Sequence, residues 1–437
     1  MKDFFKNIAK KLVVAILTLE ARIALARHKP QIIAVTGSVG KTATKDAIYA
    51  VVSGSFETRK SQKSMNSEIG LPLTILGLEN AWSSLSGWWR NIWRGAMVAF
   101  VASGNQFPKW LVLEVGADHP RDIEKISHWL HPNIVVLTRM ADVPVHIEYF
   151  KNTEEVLREK MFLARALKPK GTLIVNADDS YFMKTVRDLD AKKVFYGTSS
   201  LAEIKIIETG ILYDNDFPTR PRGQYGILNV KNRTERIELN GVIGKHLMYS
   251  IATACAVASV LNVTNNLSDI FEQFDMPRGR MRLLKGKSGS IIIDDTYNSS
   301  PIACTEALKT LANLSVSGKK IAVLGDMKEL GIHAEKAHRD IGKLAGEIVH
   351  TLITVGKLAK HIASGAREAG MSPDHILSFE TSEQTIKAIA DILHTGDVIL
   401  VKGSQSMRME KIVEVLLKDQ NEAKNLLVRQ EEEWQKR

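Results

Sequence analysis

Residues 32–45, IIAVTGSVGKTATK, decide the fold of this chain. The apolar run Ile32–Val35 predicts a buried strand, and Thr42–Val52 predicts a helix. The loop between them carries two glycines and a Lys-Thr pair, which aims backbone N–H groups and the positive end of a helix dipole at an anion. The common P-loop pattern, G-x-x-x-x-G-K-[ST], requires glycine where Val35 stands, so an ordinary glycine-rich turn remains the alternative.

We interpret this loop as a nucleoside triphosphate site. Its glycines would let the backbone close around phosphate oxygens, Lys41 would meet the terminal phosphates, and the Thr42 hydroxyl would face a magnesium ion. The residues predicted to contact the nucleotide here are Thr36, Gly37, Ser38, Val39, Gly40, Lys41 and Thr42.

The composition indicates a folded protein with more than one domain. The 437 residues suffice for two or three domains, and 44% hydrophobic with 25% charged residues argues against long disorder. The net charge of +10 suits an acidic partner, but nucleotides, nucleic acids and anionic membranes all qualify. We expect no nucleic-acid partner, because no stripe of Arg and Lys interleaved with aromatics is present. Cys255 and Cys304 lie in apolar contexts, which favours a reducing, cytoplasmic location.

Apolar runs alternate with helical patterns from Ile32 onward, which predicts parallel sheets and an α/β fold class. We expect a central P-loop ATPase domain with a mostly parallel sheet at residues 31–275 and a C-terminal Rossmann-like α/β domain at 276–437. Residues 200–240 predict a small antiparallel excursion, and residues 276–285 predict a linker. Ligands would bind in the cleft between the domains. The predicted strands are Leu111–Val115, Ile134–Leu137, Thr172–Val175, Ile291–Ile293, Ile321–Leu324, Leu352–Val355 and Val398–Val401.

Two segments predict helices at the surface. Residues 1–30 predict an amphipathic helix whose uncharged run, Leu12–Leu19, is too short to span a membrane. Residues 85–100, LSGWWRNIWRGAMVAF, lie in a predicted helical insert at 82–105. We expect its apolar face to dock on the protein, with peripheral membrane contact through tryptophan anchors as the alternative. That face comprises Leu85, Trp88, Trp89, Ile92, Trp93, Ala96, Met97 and Phe100.

Two polar residues follow or interrupt apolar runs near the phosphate loop. Glu114 lies in an otherwise apolar strand, LVLEV, where a carboxylate is costly unless it is paired or binds a metal. His146 lies in a loop after the next strand. A core ion pair for Glu114 and an ordinary surface histidine at position 146 are the alternatives.

Seven sequence blocks together resemble the Mur ligase family, and in particular its MurF type. The family's short phosphate loop, T-G-[ST]-x-G-K-[ST], accounts for the glycine missing from the opening stretch. In one order along the chain, from about residue 31 to 420, the blocks are TGSVGKT (36–42), MNSEIGLPLT (65–74), EVGADHPRDI (114–123), VHIEYF (145–150), DDTYNSSP (294–301), LGDMKELG (324–331) and VKGSQSMRME (401–410).

The resemblance implies formation of an amide bond driven by ATP. ATP would phosphorylate a carboxylate, and an amine would then displace the phosphate from the acyl phosphate. Both steps build negative charge, which Lys41 and two Mg²⁺ ions would stabilise. By the same resemblance Thr42 and Glu114 would hold the first Mg²⁺, and His146 the second with help from a carbamylated Lys160. Lys41, His146 and Lys160 are thus the catalytic candidates, although an ordinary solvated lysine is the alternative at position 160.

The resemblance also assigns nucleotide and substrate contacts. Arg280 and Asp295 would contact phosphate and ribose. The family's adenine-contacting asparagine falls on Ser250 here, which makes Asn298 the substitute candidate. The predicted substrate contacts are Asn66, Tyr297, Lys402 and Arg408, of which Lys402 and Arg408 equally fit surface cations.

The implied partners are small molecules, a nucleotide-sugar peptide and the dipeptide D-alanyl-D-alanine, bound by a monomer. Only some 30 residues precede the phosphate strand, where MurF-type enzymes carry a separate domain that grips the UDP-sugar. The substrate is therefore expected either to be held by the other two domains or to differ from a UDP-muramyl peptide. A folylpolyglutamate or poly-γ-glutamate type ligase, a P-loop NTPase and a catalytically silent membrane scaffold are the other readings.

Overall fold

The computed structural model describes residues 2–435, apart from positions 63, 64, 83, 103–105, 232, 264, 265, 390 and 391. Two β-sheets are covered by helices on both faces. The helices are α1 (Lys2–His28), α2 (Lys41–Ser53), α3 (Gly70–Leu76), α4 (Leu85–Phe100), α5 (Asp122–Ser127), α6 (Thr153–Arg165), α7 (Ser180–Thr185), α8 (Lys245–Leu261), α9 (Leu267–Glu272), α10 (Pro301–Ala312), α11 (Ala334–Ile348), α12 (Ala359–Glu368), α13 (Ser382–Ile389), α14 (Glu410–Leu416), α15 (Ala423–Leu426) and α16 (Glu432–Gln435).

The first sheet has nine strands in the order β2-β3-β1-β4-β5-β6-β7-β8-β9. Pairing is parallel from β2 through β7 and antiparallel from β7 through β9. Because β3 and β4 flank β1, the strand order reverses at β1, and ligands bind such open sheets beyond the carboxyl end of that strand. The strands are β1 (Gln31–Thr36), β2 (Thr58–Lys60), β3 (Trp110–Glu114), β4 (Ile134–Leu137), β5 (Thr172–Asn176), β6 (Lys192–Gly197), β7 (Ile204–Tyr213), β8 (Pro221–Val230) and β9 (Arg233–Asn240).

The second sheet has six strands in the order β10-β11-β15-β12-β13-β14. All its pairings are parallel except that of β10 with β11. The strands are β10 (Arg282–Lys285), β11 (Ile291–Asp295), β12 (Lys320–Gly325), β13 (Thr351–Val355), β14 (Ile376–Phe379) and β15 (Val398–Lys402).

Strand β1 explains why the decisive stretch reads as a continuous apolar run. Ile33 and Val35 pack into one core with α2 and α8, whereas Ile32 and Ala34 pack into a second core on the other face of the sheet. A strand buried on both faces has no polar side to alternate with.

The predicted α/β class is confirmed, and each of the seven predicted strands appears within two residues of its expected bounds. The antiparallel excursion near 200–240 is also confirmed, as β7 to β9. The predicted linker at 276–285 is too long, because Arg282–Lys285 form β10 and pair with β11. The strands before and after the remaining connection belong to different sheets. The domain boundary at 276 stays a prediction.

Helix α4 docks with the face opposite to the one expected. Its buried residues are Gly87, Asn91, Gly95 and Ala99, and a Cβ added at Gly95 would overlap the Glu20 carboxylate of α1. Small residues at steps of four let the two helices approach closely, which the larger apolar side chains would prevent. The expected docking face was therefore wrong for Leu85, Trp89, Trp93, Met97 and Phe100, which are exposed, whereas Trp88 and Ile92 pack partly buried against the core as expected.

None of the described helices combines the length and the apolar content that a membrane span requires.

Candidate active site

The loop between β1 and α2 is held in a conformation that only glycine permits at two positions. Gly40 adopts φ +84° at the start of α2, and no side chain caps this helix, so its first backbone N–H groups stay free for an anion. Gly37 adopts φ +149°, and a Cβ there would overlap Oγ1 of Thr138. The Thr138 hydroxyl in turn donates to the carbonyl oxygens of Thr36 at 3.2 Å and Val39 at 2.7 Å.

The end of β4 pins the loop from its other side. The Ser38 N–H donates to the Arg139 carbonyl at 2.7 Å, and Val39 forms an isolated bridge with the same residue. These contacts fix the loop to the sheet, which preorganises it for phosphate recognition.

Lys41 lies within the loop, with Nζ donating to the Gly37 carbonyl at 3.0 Å. Burial lowers the pKa of Lys41, while the nearby Glu114 carboxylate acts in the opposite direction. A cation held by one carbonyl oxygen is available to an incoming phosphate.

Glu114 ends β3 directly beside the loop, because its partner in the neighbouring strand is Val35. Its side chain is buried, and Oε1 accepts a hydrogen bond from Asn66 Nδ2 at 3.2 Å. The other oxygen, Oε2, has no partner among the described residues. A buried carboxylate oxygen without a donor is costly, and Oε2 is therefore available to bind a cation.

His146 lies between two carboxylates from different parts of the chain. Its Nε2 is 3.3 Å from Oδ1 of Asp118, and its Nδ1 is 2.8 Å from Oε2 of Glu329, although the latter pair is not aligned as a hydrogen bond. Burial lowers the pKa of His146, and the two carboxylates partly oppose that change. Glu329 follows β12, so this cluster joins the two sheets.

Lys160 of α6 is buried close to Lys41. Burial, followed by the charge of Lys41, lowers the pKa of Lys160 to about 7. The adjacent Glu159 is already engaged, since its carboxylate accepts from the backbone N–H groups at the start of α5. Lys160 therefore has a substantial neutral fraction near pH 7.

A cavity of about 280 Å³ extends from the phosphate loop to the second sheet. The first sheet and its helices contribute Gly40, Thr42, Thr44, Asn176, Asp178, Tyr249 and Ser250, among others. The second sheet and its connections contribute Arg280, Asp295, Ala303, Glu306 and Lys402. Nucleotide contacts from both halves of the chain can thus meet in one space.

Ion pairs organise the second-sheet wall of this cavity. Asp295 and Lys402 form a buried salt bridge of 2.6 Å, and Lys402 also donates to the Asn298 carbonyl at 3.0 Å. The Arg280 guanidinium lies 4.1 Å from the ring centre of Tyr297. This stacking leaves the guanidinium edge free for hydrogen bonds to a phosphate.

Two family models match this chain over about two thirds of its length. The Mur ligase middle domain matches residues 98–258, and the Mur ligase, glutamate ligase domain matches residues 279–405. The chain belongs to the Mur ligase family. The predicted recognition and the prediction of an ATP-dependent ligase are thereby confirmed.

Individual relatives agree with this assignment. The chain is 27% identical over 400 residues to the UDP-N-acetylmuramoyl-tripeptide–D-alanyl-D-alanine ligase of Bacillus subtilis, covering 91% of this chain and 78% of that protein. The crystal structure of MurF ligase from Thermotoga maritima with ADP superposes with a TM-score of 0.75 at 23% identity, covering 94% of this chain and 84% of that one. Folylpolyglutamate synthase from Mycobacterium tuberculosis has a TM-score of 0.63 at 16% identity, covering 90% and 93%. The predicted pairing of P-loop ATPase and Rossmann-like domains is confirmed.

Most of the predicted site residues of this Mur ligase lie around the loop or line the cavity. Asn66 contacts Glu114, and Arg280 stacks on Tyr297, whereas Lys402 reaches the cavity with its charge already balanced by Asp295. Among the described residues, no three histidine, cysteine or acidic side chains converge on one metal position.

Not all predicted residues line the cavity, and Asn298 and Arg408 are among those that do not. Arg408 donates to Oε1 of Glu410 at 2.6 Å and to the Trp434 carbonyl at 2.8 Å. Its charge is therefore paired with a carboxylate of α14. Arg408 as a substrate anchor stays a prediction, and these contacts already pair its charge. The backbone carbonyl oxygen of Asn298 accepts a hydrogen bond from Lys402, and its side-chain Oδ1 accepts one from the Ser299 N–H.

The sequence reasoning missed several residues that line the cavity. Asn176 ends β5 and Asp178 follows it, and Tyr249 of α8 donates to Asp178 at 2.9 Å. His246 at the start of α8 is partly buried, and its Nδ1 has no partner among the described residues. A signal was present in NADD at 176–179, because polar residues after a parallel strand lie at the ligand-binding edge of the sheet. The predicted adenine position, Ser250, lines the cavity but accepts a hydrogen bond from Thr44 at 3.1 Å.

Proposed function

We propose that this Mur ligase joins D-alanyl-D-alanine to the carboxylate of a UDP-N-acetylmuramoyl-tripeptide in peptidoglycan precursor synthesis, using ATP. The observation that carries the proposal is the single cavity that connects the phosphate loop with Arg280 and Asp295 of the second sheet. The choice of substrates rests on the similarity to the Bacillus subtilis ligase across both sheets.

The chemistry proceeds in two displacements. A carboxylate oxygen of the acceptor attacks the γ-phosphorus of ATP, ADP leaves, and an acyl phosphate forms. The amine of the dipeptide then attacks the acyl carbon, loses a proton and expels inorganic phosphate. The open N-terminus of α2 and Lys41 lie where phosphate oxygens gain charge in the first displacement, so they lower its barrier.

Glu114 and Thr42 have side chains suited to binding a Mg²⁺ ion. The unpartnered Oε2 of Glu114 and the hydroxyl of Thr42 are oxygen ligands of the kind Mg²⁺ prefers, in a site that also leaves room for phosphate. When bound, the ion would neutralise charge between the β- and γ-phosphates. We further propose that His146 and a carbamylated Lys160 hold a second Mg²⁺, with Asp118 and Glu329 orienting His146.

The acceptor carboxylate has a place near Glu114 in this proposal. Asn66 contacts Glu114, and the charge of Glu114 acts on Tyr297, so both predicted substrate residues lie close to Glu114. We assign Arg280 and Asp295 to the phosphate and ribose of the nucleotide. The enzyme would act in the cytoplasm as a monomer.

The test is phosphate release by the purified chain with ATP and Mg²⁺. UDP-N-acetylmuramoyl-tripeptide and D-alanyl-D-alanine are supplied singly and together, and product mass is measured in parallel. We expect release only with both, and a product heavier than the acceptor by the dipeptide less water. Phosphate release independent of either substrate would overturn the proposal in favour of a plain NTPase.

Two lysine variants, one at the phosphate loop and one on the surface, serve as test and control in this assay. Lys41→Ala should reduce turnover by about 10²-fold or more, because the cation at the transferring phosphate is lost. Lys184→Ala removes an exposed lysine of α7 and should leave turnover unchanged. Equal activity of the two variants would remove Lys41 from the mechanism.

A second candidate is a folate-linked or polyglutamate acceptor. The folylpolyglutamate synthase structure shares the fold over 90% of this chain, which favours testing that class. Release stimulated by a folate and glutamate, but not by the muramyl peptide and dipeptide, would select this candidate.

A further inference from the structure

Helix α4 exposes a row of large apolar side chains. Leu85, Trp89, Trp93, Met97 and Phe100 recur at steps of four and three, so they share one side of the helix, here termed the tryptophan face. Trp89 is 74% exposed and Trp93 is 65% exposed. An exposed patch of this kind marks an interaction site, since single scattered apolar residues would need no explanation.

The tryptophan face is not the side by which α4 packs on the rest of the protein. The opposite side of α4 is already occupied, because Gly95 and Ala99 meet α1 and Asn91 Nδ2 donates to the Glu79 carbonyl at 2.8 Å. Arg27 of α1 adds a bond to the Ala99 carbonyl at 3.3 Å. The helix is thus fixed from behind and presents its largest side chains outward.

Positive charge borders this face. Arg90 and Arg94 are exposed on α4, which contains no acidic residue. On the partner helix α1, Lys10 and Lys11 are exposed next to the exposed Leu12. Apolar side chains bordered by cations match the chemistry of an anionic phospholipid surface, whose acyl chains lie beneath a layer of phosphates.

We propose that the tryptophan face docks on the surface of an anionic phospholipid bilayer. Trp89 and Trp93 lie at the level of the headgroups and acyl-chain ends, Phe100 and Leu85 enter the apolar layer, and Arg90 and Arg94 contact lipid phosphates. Tryptophan suits this position because its ring is apolar while its N–H can still meet water or a headgroup.

A second copy of the chain fits the same face less well. In a symmetric dimer the same patch meets itself, so the Arg90 and Arg94 rows of two copies would approach each other. No carboxylate on α4 could neutralise them. Lipid phosphates provide the missing opposite charge. The proposal is independent of the ligase chemistry, because α4 contributes no residue to the lining of the cavity.

The test is co-sedimentation of the full chain with vesicles. Vesicles of phosphatidylcholine with phosphatidylglycerol are compared with pure phosphatidylcholine. We expect binding to the mixed vesicles that weakens as salt rises, and at least a ten-fold loss of affinity in the double variant Trp89→Ser, Trp93→Ser. Arg90→Gln with Arg94→Gln should remove the preference for phosphatidylglycerol.

The matched control is Leu201→Ser with Phe217→Ser, which also removes two exposed apolar side chains but lies in the loops around β7. It should bind vesicles as the parent chain does. Nucleotide binding and circular dichroism verify that every variant is folded. Absence of vesicle binding by the parent chain would overturn the proposal. Equal binding by the Trp89→Ser, Trp93→Ser variant and the Leu201→Ser, Phe217→Ser control would also overturn it. A dimer in sedimentation equilibrium that Trp89→Ser, Trp93→Ser dissociates would assign the face to a second copy and equally overturn it.

A spectroscopic measurement locates the contact. Phospholipids brominated on their acyl chains should quench part of the tryptophan fluorescence of the parent chain. That quenching should disappear in Trp89→Ser, Trp93→Ser although five of the seven tryptophans remain. Quenching that persists in this variant would place the contact elsewhere on the molecule and contradict the proposal.

Discussion

Steric fit fixes the phosphate loop at the scale of single residues. Gly37 packs against Thr138 with a backbone conformation that side chains rarely adopt, while Gly40 opens the helix that follows. The spacing of both glycines to Lys41 and Thr42 predicted that they belong to a phosphate-binding loop. It could not predict Thr138, because that residue comes from a different strand and acts through its hydroxyl on the loop's carbonyl oxygens.

Gly37→Ala should abolish tight nucleotide binding. The added Cβ would overlap the Thr138 hydroxyl and displace the loop, so we expect at least a ten-fold loss of ADP affinity by calorimetric titration with Mg²⁺. Gly370→Ala is the matched control, because Gly370 also has a positive φ, +89°, but faces open space at the end of α12. That control should lose about 1 kcal/mol of stability and no affinity. Equal affinities for the two variants would contradict the steric account.

Lys160 should carry a carbamate when carbon dioxide is present. A carbamate forms from the neutral amine, and a pKa of about 7 in the folded protein makes that form available near neutrality. Carbon-13 NMR with labelled bicarbonate should therefore show a carbamate signal that weakens as the pH falls below 7. Lys160→Arg, which cannot be carbamylated, should lack the signal, and Lys184→Ala should retain it. A signal that survives Lys160→Arg would refute the assignment.

At the scale of elements, periodicity predicted the strands and the long helices well and the docking of α4 wrongly. An apolar stripe predicts a helix, but α4 has two stripes, one of large apolar residues and one of small residues. The small stripe, Gly87, Asn91, Gly95 and Ala99, is the buried one, and α1 approaches it closely at Gly95. The identity of the partner element, which sequence periodicity does not contain, decides between the two.

Glu20 should make the α1–α4 pair less stable as the pH rises. Its carboxylate is buried with Oε2 unpartnered among the described residues, and burial raises its pKa from 4.5 to about 7. The folded state then binds more protons than the unfolded state between these values, so this group's contribution to stability is full below pH 4.5 and falls as the pH rises through 7.

Glu20→Gln should remove that pH dependence. At pH 8 the variant should be more stable than the parent chain by about 1 kcal/mol or more, with little gain at pH 4.5. Urea unfolding at a series of pH values measures this difference. The exposed Glu68→Gln serves as control and should not change the pH dependence. A parent-like pH slope in Glu20→Gln would show that the buried carboxylate is not its source.

At the scale of the whole molecule, the two sheets share one cavity and several charged contacts. Arg139 of the first half lies 3.5 Å from Glu306 of the second, and His146 lies 2.8 Å from Glu329. The sequence blocks predicted which segments would meet, since each block follows a parallel strand. The sequence blocks could not predict which basic side chains would face the cavity. Lys402 and Arg408 look alike in sequence, yet one lines the cavity beside Asp295 and the other is held by Glu410.

The central claim is that the two halves together activate a carboxylate as an acyl phosphate. The most direct measurement supplies the muramyl-tripeptide with its acceptor carboxylate labelled by oxygen-18, together with ATP, Mg²⁺ and D-alanyl-D-alanine. Because a carboxylate oxygen attacks the γ-phosphorus and leaves with the phosphate, the account predicts one labelled oxygen in the released inorganic phosphate for each amide bond formed. Unlabelled phosphate, or label found in AMP, would contradict it.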